Sequence, residues 1–152
     1  MTDIGGTLPS VMIKDSGNND LNLAELPTPF VLYYYPKADT PGCTNEGKDF
    51  SALKPAFDKL GVAVYGISKD KPAKLVKFAA KYDFTVNLLS DELSDATEQM
   101  GLWVEKSMYG KKYMGIERAT FLVGKDGNVT HVWHNVKVKG HADAVLAAAQ
   151  AL

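Results

Sequence analysis

Cys43 is the single cysteine of the 152-residue chain, and it closes the run Pro36-Lys-Ala-Asp-Thr40-Pro-Gly-Cys43. With one thiol no intramolecular disulfide can form. That excludes both a disulfide scaffold and a CxxC dithiol centre, so any redox chemistry here is that of a lone thiol. Thr40 is a good N-cap and Pro41 suits the first helical position, which predicts a helix with Cys43 in its first turn. There the backbone N–H groups lack partners and the helix dipole is positive, and both favour the nucleophilic thiolate over the thiol. Cys43, Gly47 and Phe50 fall at i, i+4 and i+7, on the stripe predicted to face the core. An enclosed cysteine is also the ordinary inert kind, packed as a small hydrophobe, and position alone leaves both readings open.

Arg118 stands out by its type. It is the one arginine among 17 lysine and arginine residues. A guanidinium differs from an ammonium in its planar fork of donors and permanent charge, so this choice invites a specific role, against the plainer reading of drift on a solvated surface. The histidines do not converge as metal ligands must: His131 and His134 sit on opposite faces of a predicted strand, and His141 stands alone near a helix start.

These residues need elements to position them. Phe30 to Tyr35 (FVLYYY) is short, β-branched and aromatic, and Pro36 stops it, as expected of a buried strand. The helix after Thr40 repeats Phe50, Leu53, Phe57 and Leu60 at three and four, with Gly61 as its stop. Val62 to Ile67 reads as a strand. A second helix after Pro72 places Leu75, Phe78, Ala79 and Tyr82 on one face and Lys74, Lys77 and Lys81 on a solvated one. Val86 to Leu89 reads as a short strand, Glu92 to Gly101 as a short helix, and Ala119–Val123 with Val129–Trp133 as a hairpin across Gly124-Lys-Asp-Gly-Asn128. The alanine-rich segment from His141 to Leu152 closes the chain as a helix, and residues 1–29 read as a hairpin or an irregular lead-in. The order predicts a mixed α/β sheet with helices on both faces, in one domain spanning residues 1–152.

Composition narrows the function classes. The 17 basic and 18 acidic residues leave a net charge of -1, so no global field attracts nucleic acid or anionic lipid. No apolar stretch approaches the ~20 residues of a membrane span and no cleavable leader is visible, which predicts a soluble, cytoplasmic protein. Neither a GxGxxG nor a P-loop pattern is present, and no cofactor is expected.

The run around the thiol resembles the P-x-x-x-T-x-x-C signature of the peroxiredoxins, and Tyr35-Pro-Lys-Ala-Asp-Thr-Pro-Gly-Cys-Thr44 resembles their bacterioferritin-comigratory, or PrxQ, branch. The likeness extends to Asp91, to Gly101-Leu-Trp-Val-Glu-Lys-Ser-Met-Tyr-Gly110 and to Gly115-Ile-Glu-Arg-Ala-Thr-Phe-Leu-Val123, and covers residues 5 to 152. It implies a thioredoxin-like fold, a central mixed sheet flanked by helices. It also implies that Cys43 is the peroxidatic cysteine, attacking a hydroperoxide oxygen and becoming a sulfenic acid. By the same resemblance Thr40 supplies a hydroxyl that steadies the thiolate and orients the substrate, Pro36 shields the pocket, and Arg118 helps hold the thiolate and stabilises charge on the leaving oxygen.

Many members of the branch carry a resolving cysteine five residues after the peroxidatic one, where this chain has Lys48. The resemblance therefore implies a one-cysteine variant, a monomer, whose sulfenic acid is reduced by an external thiol such as glutaredoxin with glutathione, or thioredoxin. Lys48 either adds positive potential near the thiolate or is simply solvated. Trp103, Met108, Tyr109, Tyr113 and Met114 either line the approach to the thiol, favouring organic hydroperoxides, or form a subunit contact or ordinary core and collar. Two functions of other classes stay open: a redox sensor that signals through Cys43 oxidation, and a domain whose thiol is inert.

Overall fold

In the computed structural model, which describes residues 2–152, the fold is organised around β3 (Phe30–Tyr34), whose five residues are all buried. A strand buried on both faces has to be apolar throughout, because alternate side chains serve different cores. Phe30, Leu32 and Tyr34 enter one cluster and Val31 and Tyr33 the other. β3 pairs in parallel with β4 (Ala63–Ser68) and antiparallel with β8 (Ala119–Val123). With β1 (Met12–Asp15), β2 (Asp20–Asn22), β5 (Asn87–Ser90) and β9 (Val129–Trp133) they form a mixed seven-stranded sheet of order β2-β1-β5-β4-β3-β8-β9.

Parallel neighbours need crossover connections. α1 (Pro41–Lys59) joins β3 to β4, and α2 (Pro72–Tyr82) joins β4 to β5. Both crossovers step along the sheet in the same direction, so both helices cover the same face. There Phe50 and Phe57 of α1, Leu75 and Phe78 of α2, and Val145 of α4 (His141–Gln150) share one core. The other face is closed differently from the expected helical layer. A 3-10 turn at Leu23–Glu25, the four-residue α3 (Ala96–Gln99) and the loops around them bury Leu8, Leu23, Met100 and Leu102 against it.

The lead-in takes one of its two expected forms, and two further differences from the sequence reading have local causes. The lead-in is a hairpin, β1 against β2, and β1 also adds antiparallel to β5; residue 1 lies outside the described residues. The helix expected over Glu92 to Gly101 shrinks to α3 because the buried Asp91 carboxylate takes the amides of Ala96 and Thr97 and the Thr97 hydroxyl at 2.6–3.2 Å. Those bonds start the helix at Ala96 and leave residues 92–95 as a turn. Residues 103–116, for which no element was expected, form a separate two-stranded hairpin, β6 (Trp103–Met108) against β7 (Lys111–Ile116). Its two-residue turn, Tyr109-Gly110, has φ of 52° and 78°. Glycine adopts that conformation freely, but tyrosine is an unusual residue for it.

Candidate active site

β3 leads the chain into the site and α1 leads it out. Tyr35 N donates to Ile67 O at 3.1 Å, and the loop at 36–40 is then tied to the end of β4. Ala38 N donates to Asp70 Oδ2 at 2.7 Å, and the Ser68 hydroxyl donates to the same oxygen. Asp39, at φ 62°, accepts from Lys81 Nζ at 2.9 Å and from the Tyr82 hydroxyl. Thr40 stands at the N-cap position as expected, with extended backbone, yet its side chain caps nothing: the hydroxyl donates to Lys37 O at 2.8 Å. Pro41 has no amide proton and Thr44 N donates to Thr40 O, which leaves the amides of Gly42 and Cys43 as the unpaired donors of the helix start.

Cys43 is buried, 2% exposed, above an aromatic floor of Tyr33, Tyr35 and Phe50 in one core. Tyr33 and Phe50 stack with centroids 4.6 Å apart. Burial holds the Tyr33 hydroxyl far from ionising. Arg118 arrives from the start of β8, its own carbonyl fixed by Val136 N at 2.9 Å. One guanidinium nitrogen, Nη2, donates to Cys43 Sγ at 3.4 Å, and the other, Nη1, donates to Glu46 Oε1 at 2.7 Å. The approach depends on a glycine, since a Cβ at residue 42 would stand 3.0 Å from Nη2.

Glu46 was not singled out from the sequence. It lies one helical turn after Cys43, 1% exposed, with Oε2 unpartnered. Burial pushes its carboxyl up to about 7, against the pull of the Arg118 guanidinium. For Arg118 burial acts to weaken the charge, but Glu46 and Cys43 outweigh it and hold the guanidinium charged. The spacing of Glu46 was a usable signal: a carboxylate at i+3 on a core-facing stripe needs a cation, and the chain has one arginine.

Pro36, Thr40, Cys43 and Arg118 all line one cavity of about 620 Å³. Its outer wall is the β6–β7 hairpin, through Trp103, Met108, Tyr113 and Met114. These four are at least partly exposed, so they are the wall of the approach rather than core. Tyr109 is outside it, 97% exposed at the turn. Lys48 is exposed and away from the cavity, its ammonium 5.2 Å from the centre of the Tyr82 ring. The histidines stay apart: His131 stacks on Trp133, His134 Nδ1 lies 2.7 Å from Glu117 Oε2, and His141 Nε2 lies 2.7 Å from Thr120 Oγ1. Among the described residues no three His, Cys, Asp or Glu side chains gather as a metal site would require, and no helix is long and apolar enough to cross a membrane.

Residues 4–132 match the AhpC/TSA family. The chain is 50% identical to Peroxiredoxin Bcp of Xanthomonas campestris over 121 residues, 80% of this chain and 76% of that one. It is 43% identical to Peroxiredoxin Bcp of Escherichia coli K12 over 143 residues, 93% and 92% of the two chains. Among solved structures, a cysteine-to-serine mutant of Xylella fastidiosa PrxQ superposes with a TM-score of 0.91 at 36% identity, covering 99% of this chain and 97% of that one. The Xanthomonas campestris bacterioferritin comigratory protein, studied for alkyl peroxide reduction, gives 0.88 at 43% identity with 98% of each chain covered.

Proposed function

The chain belongs to the AhpC/TSA family and is a peroxiredoxin of the Bcp/PrxQ kind, and on that premise we propose that Cys43 is its peroxidatic thiol, served by Thr40, Pro36 and Arg118. The observation that carries this reading is the guanidinium shared between Cys43 Sγ and Glu46 Oε1. A cation beside the sulfur stabilises the thiolate, and its second arm is held by a carboxylate on the same helix. The donor is therefore in place before substrate arrives, as transition-state stabilisation requires.

Cys43 attacks the terminal oxygen of a hydroperoxide. The S–O bond forms as the O–O bond breaks, the sulfur becomes a sulfenic acid, and the departing oxygen leaves as an alcohol or water after taking a proton. Arg118 and the open amides of Gly42 and Cys43 stabilise the charge that builds during this step. Thr40 gives its own proton to Lys37 O, so its lone pairs are free to accept from the hydroperoxide O–H and orient it. Pro36 closes the cavity wall beside the sulfur. With Cys43 the single cysteine, the sulfenic acid is reduced by an external thiol.

Replacing Cys43 with serine abolishes turnover of hydrogen peroxide and of an organic hydroperoxide in the presence of excess thiol. Full activity in that variant contradicts the reading. The same single cysteine favours a second function, a sensor that passes its oxidation to a partner. Sustained steady-state turnover with a thiol donor supports the peroxidase, and a single oxidation without turnover supports the sensor.

A further inference from the structure

β7 ends at Ile116 and β8 begins at Ala119, so Glu117 and Arg118 form a two-residue passage from the hairpin into the main sheet. On the sheet side, β3–β8 pairing reaches Ala119 opposite Tyr34, and β8–β9 pairing starts at Thr120 opposite Trp133. Arg118 therefore stands just outside the ladder, and its backbone is held by local bonds. Glu117 N donates to Leu102 O at 2.8 Å, and Val136 N donates to Arg118 O at 2.9 Å. The second of these bonds comes from a turn beyond the end of β9.

That turn is closed by the Glu117 side chain. Asn135 has φ of 48°, in the left-handed region that asparagine tolerates better than most residues. Glu117 Oε2 lies 2.7 Å from His134 Nδ1 and accepts from Asn135 N at 3.3 Å. Nδ1 carries a proton both in the imidazolium and in one neutral tautomer, so the first bond does not require a charged ring. A pair of this kind, with the histidine side chain 47% exposed, adds little to stability. Its place in the chain is what matters. The next residue is Arg118, whose guanidinium reaches Cys43 Sγ at 3.4 Å and Glu46 Oε1 at 2.7 Å.

We propose that Glu117 is a positioning residue for the peroxide reaction: its carboxylate shapes the turn at residues 134–136 so that Val136 N fixes the Arg118 backbone, and with it the reach of the guanidinium to Cys43 Sγ. This rests on Arg118 serving a peroxidatic Cys43. Arg118 is then pinned at both ends, by Glu46 at the guanidinium and by Val136 at the carbonyl, and a donor held in this way needs no reorganisation when charge develops. Glu117 touches neither the sulfur nor the substrate and acts through Arg118 alone. The sign of its effect separates this role from a purely electrostatic one. Removing a carboxylate from beside Arg118 raises the positive potential at the sulfur, which on charge alone favours the thiolate and speeds the reaction. Loosening Arg118 slows it.

The test compares rate constants for loss of the Cys43 thiol on rapid mixing of reduced protein with hydrogen peroxide. Arg118→Ala comes first: a rate equal to that of the unmodified protein overturns the role of Arg118, and the proposal with it. With Arg118→Ala slow, the proposal stands or falls on Glu117. Glu117→Ala reacts about tenfold more slowly than the unmodified protein, the scale expected when a reacting group is misplaced by a fraction of an ångström. Glu117→Gln, whose side-chain carbonyl accepts the same two bonds without the charge, keeps the unmodified rate. His134→Ala, which removes one of the two bonds, falls between them. In an Arg118→Ala background Glu117→Ala brings no further loss, because the group it places is gone, whereas a general loosening of the site would slow both backgrounds alike. Three results overturn the proposal while leaving Arg118 its role: a Glu117→Ala variant as fast as the unmodified protein or faster, a Glu117→Gln variant as slow as Glu117→Ala, or an equal loss with and without Arg118.

Discussion

Tyr34 lies directly opposite Ala119 across the antiparallel β3–β8 pair. This register brings Arg118, the residue before Ala119, level with the exit of β3, where the chain turns through Pro36 to Cys43. Sheet register thus sets which side chain meets the sulfur. A slip of one residue would move it by about 3.3 Å and reverse its face.

The shared guanidinium makes a prediction about charge and shape separately. Arg118→Ala slows peroxide oxidation of Cys43 by about 10²-fold or more, measured by rapid mixing, with the fold retained. It also strips the buried Glu46 of its cation, so the carboxyl holds its proton to still higher pH. Arg118→Lys keeps the charge but cannot bridge Cys43 Sγ and Glu46 Oε1 together, and it stays at least about tenfold slow.

Stability follows pH through two buried groups of opposite sign. Glu46 is pushed up to about 7 by burial, so its contribution is full below the ordinary carboxylate range and is lost as pH rises through about 7. His141, beside Thr120 and edge-on to Phe50, is brought down to about 4 by burial and then by Arg118. Its contribution is full above the ordinary histidine value and is lost as pH falls through about 4. The two oppose one another in mildly acid solution, and above it Glu46 acts alone. Urea midpoints therefore change little from about pH 4.5 to 6.5 and decline only as Glu46 finishes titrating near 7, and Glu46→Gln, which leaves His141 acting alone, makes the midpoint rise across that lower range.

Packing beneath the thiol is tight at one glycine. A Cβ at residue 47 would stand 2.4 Å from Phe84 Cζ, and Phe84 is itself wedged against Phe78 and Tyr82. Gly47→Ala costs about 1–3 kcal/mol of unfolding free energy. An unchanged urea midpoint would contradict the close approach of α1 to that ring.

Lys48→Cys tests the helix itself. In an intact α-helix residues five apart have Cα atoms about 8–9 Å apart, beyond the ~7 Å a disulfide can span. A disulfide to Cys43 therefore forms only with the first turns of α1 undone. Peroxide treatment of this variant gives a disulfide together with a loss of far-ultraviolet helical signal, and a disulfide without that loss would contradict the argument.

How far the sequence reaches can be traced residue by residue. The buried strand at Phe30, the helix start at Thr40 and the hairpin at Ala119 carry local signals, apolar run, cap and turn, and the structure has them within a residue or so. The four residues singled out around the thiol meet at one cavity. What escaped depends on contacts between distant segments. The β6–β7 hairpin hides because a tyrosine occupies a left-handed turn position normally marked by asparagine or glycine. α3 is short because Asp91, buried beyond β5, takes its first amides. The Thr40 hydroxyl turns to Lys37 O instead of capping, which no propensity encodes. Glu46 looks like any helical glutamate until the sheet delivers Arg118 to it.

The most direct measurement of the central claim is rapid mixing of the reduced protein with one equivalent of hydrogen peroxide, following loss of the Cys43 thiol and trapping the sulfenic acid. A thiolate beside Arg118 in a prepared cavity reacts orders of magnitude faster than a free thiol and yields one sulfenic acid per chain. Oxidation at the free-thiol rate would contradict the account and leave Cys43 as a buried, inert side chain.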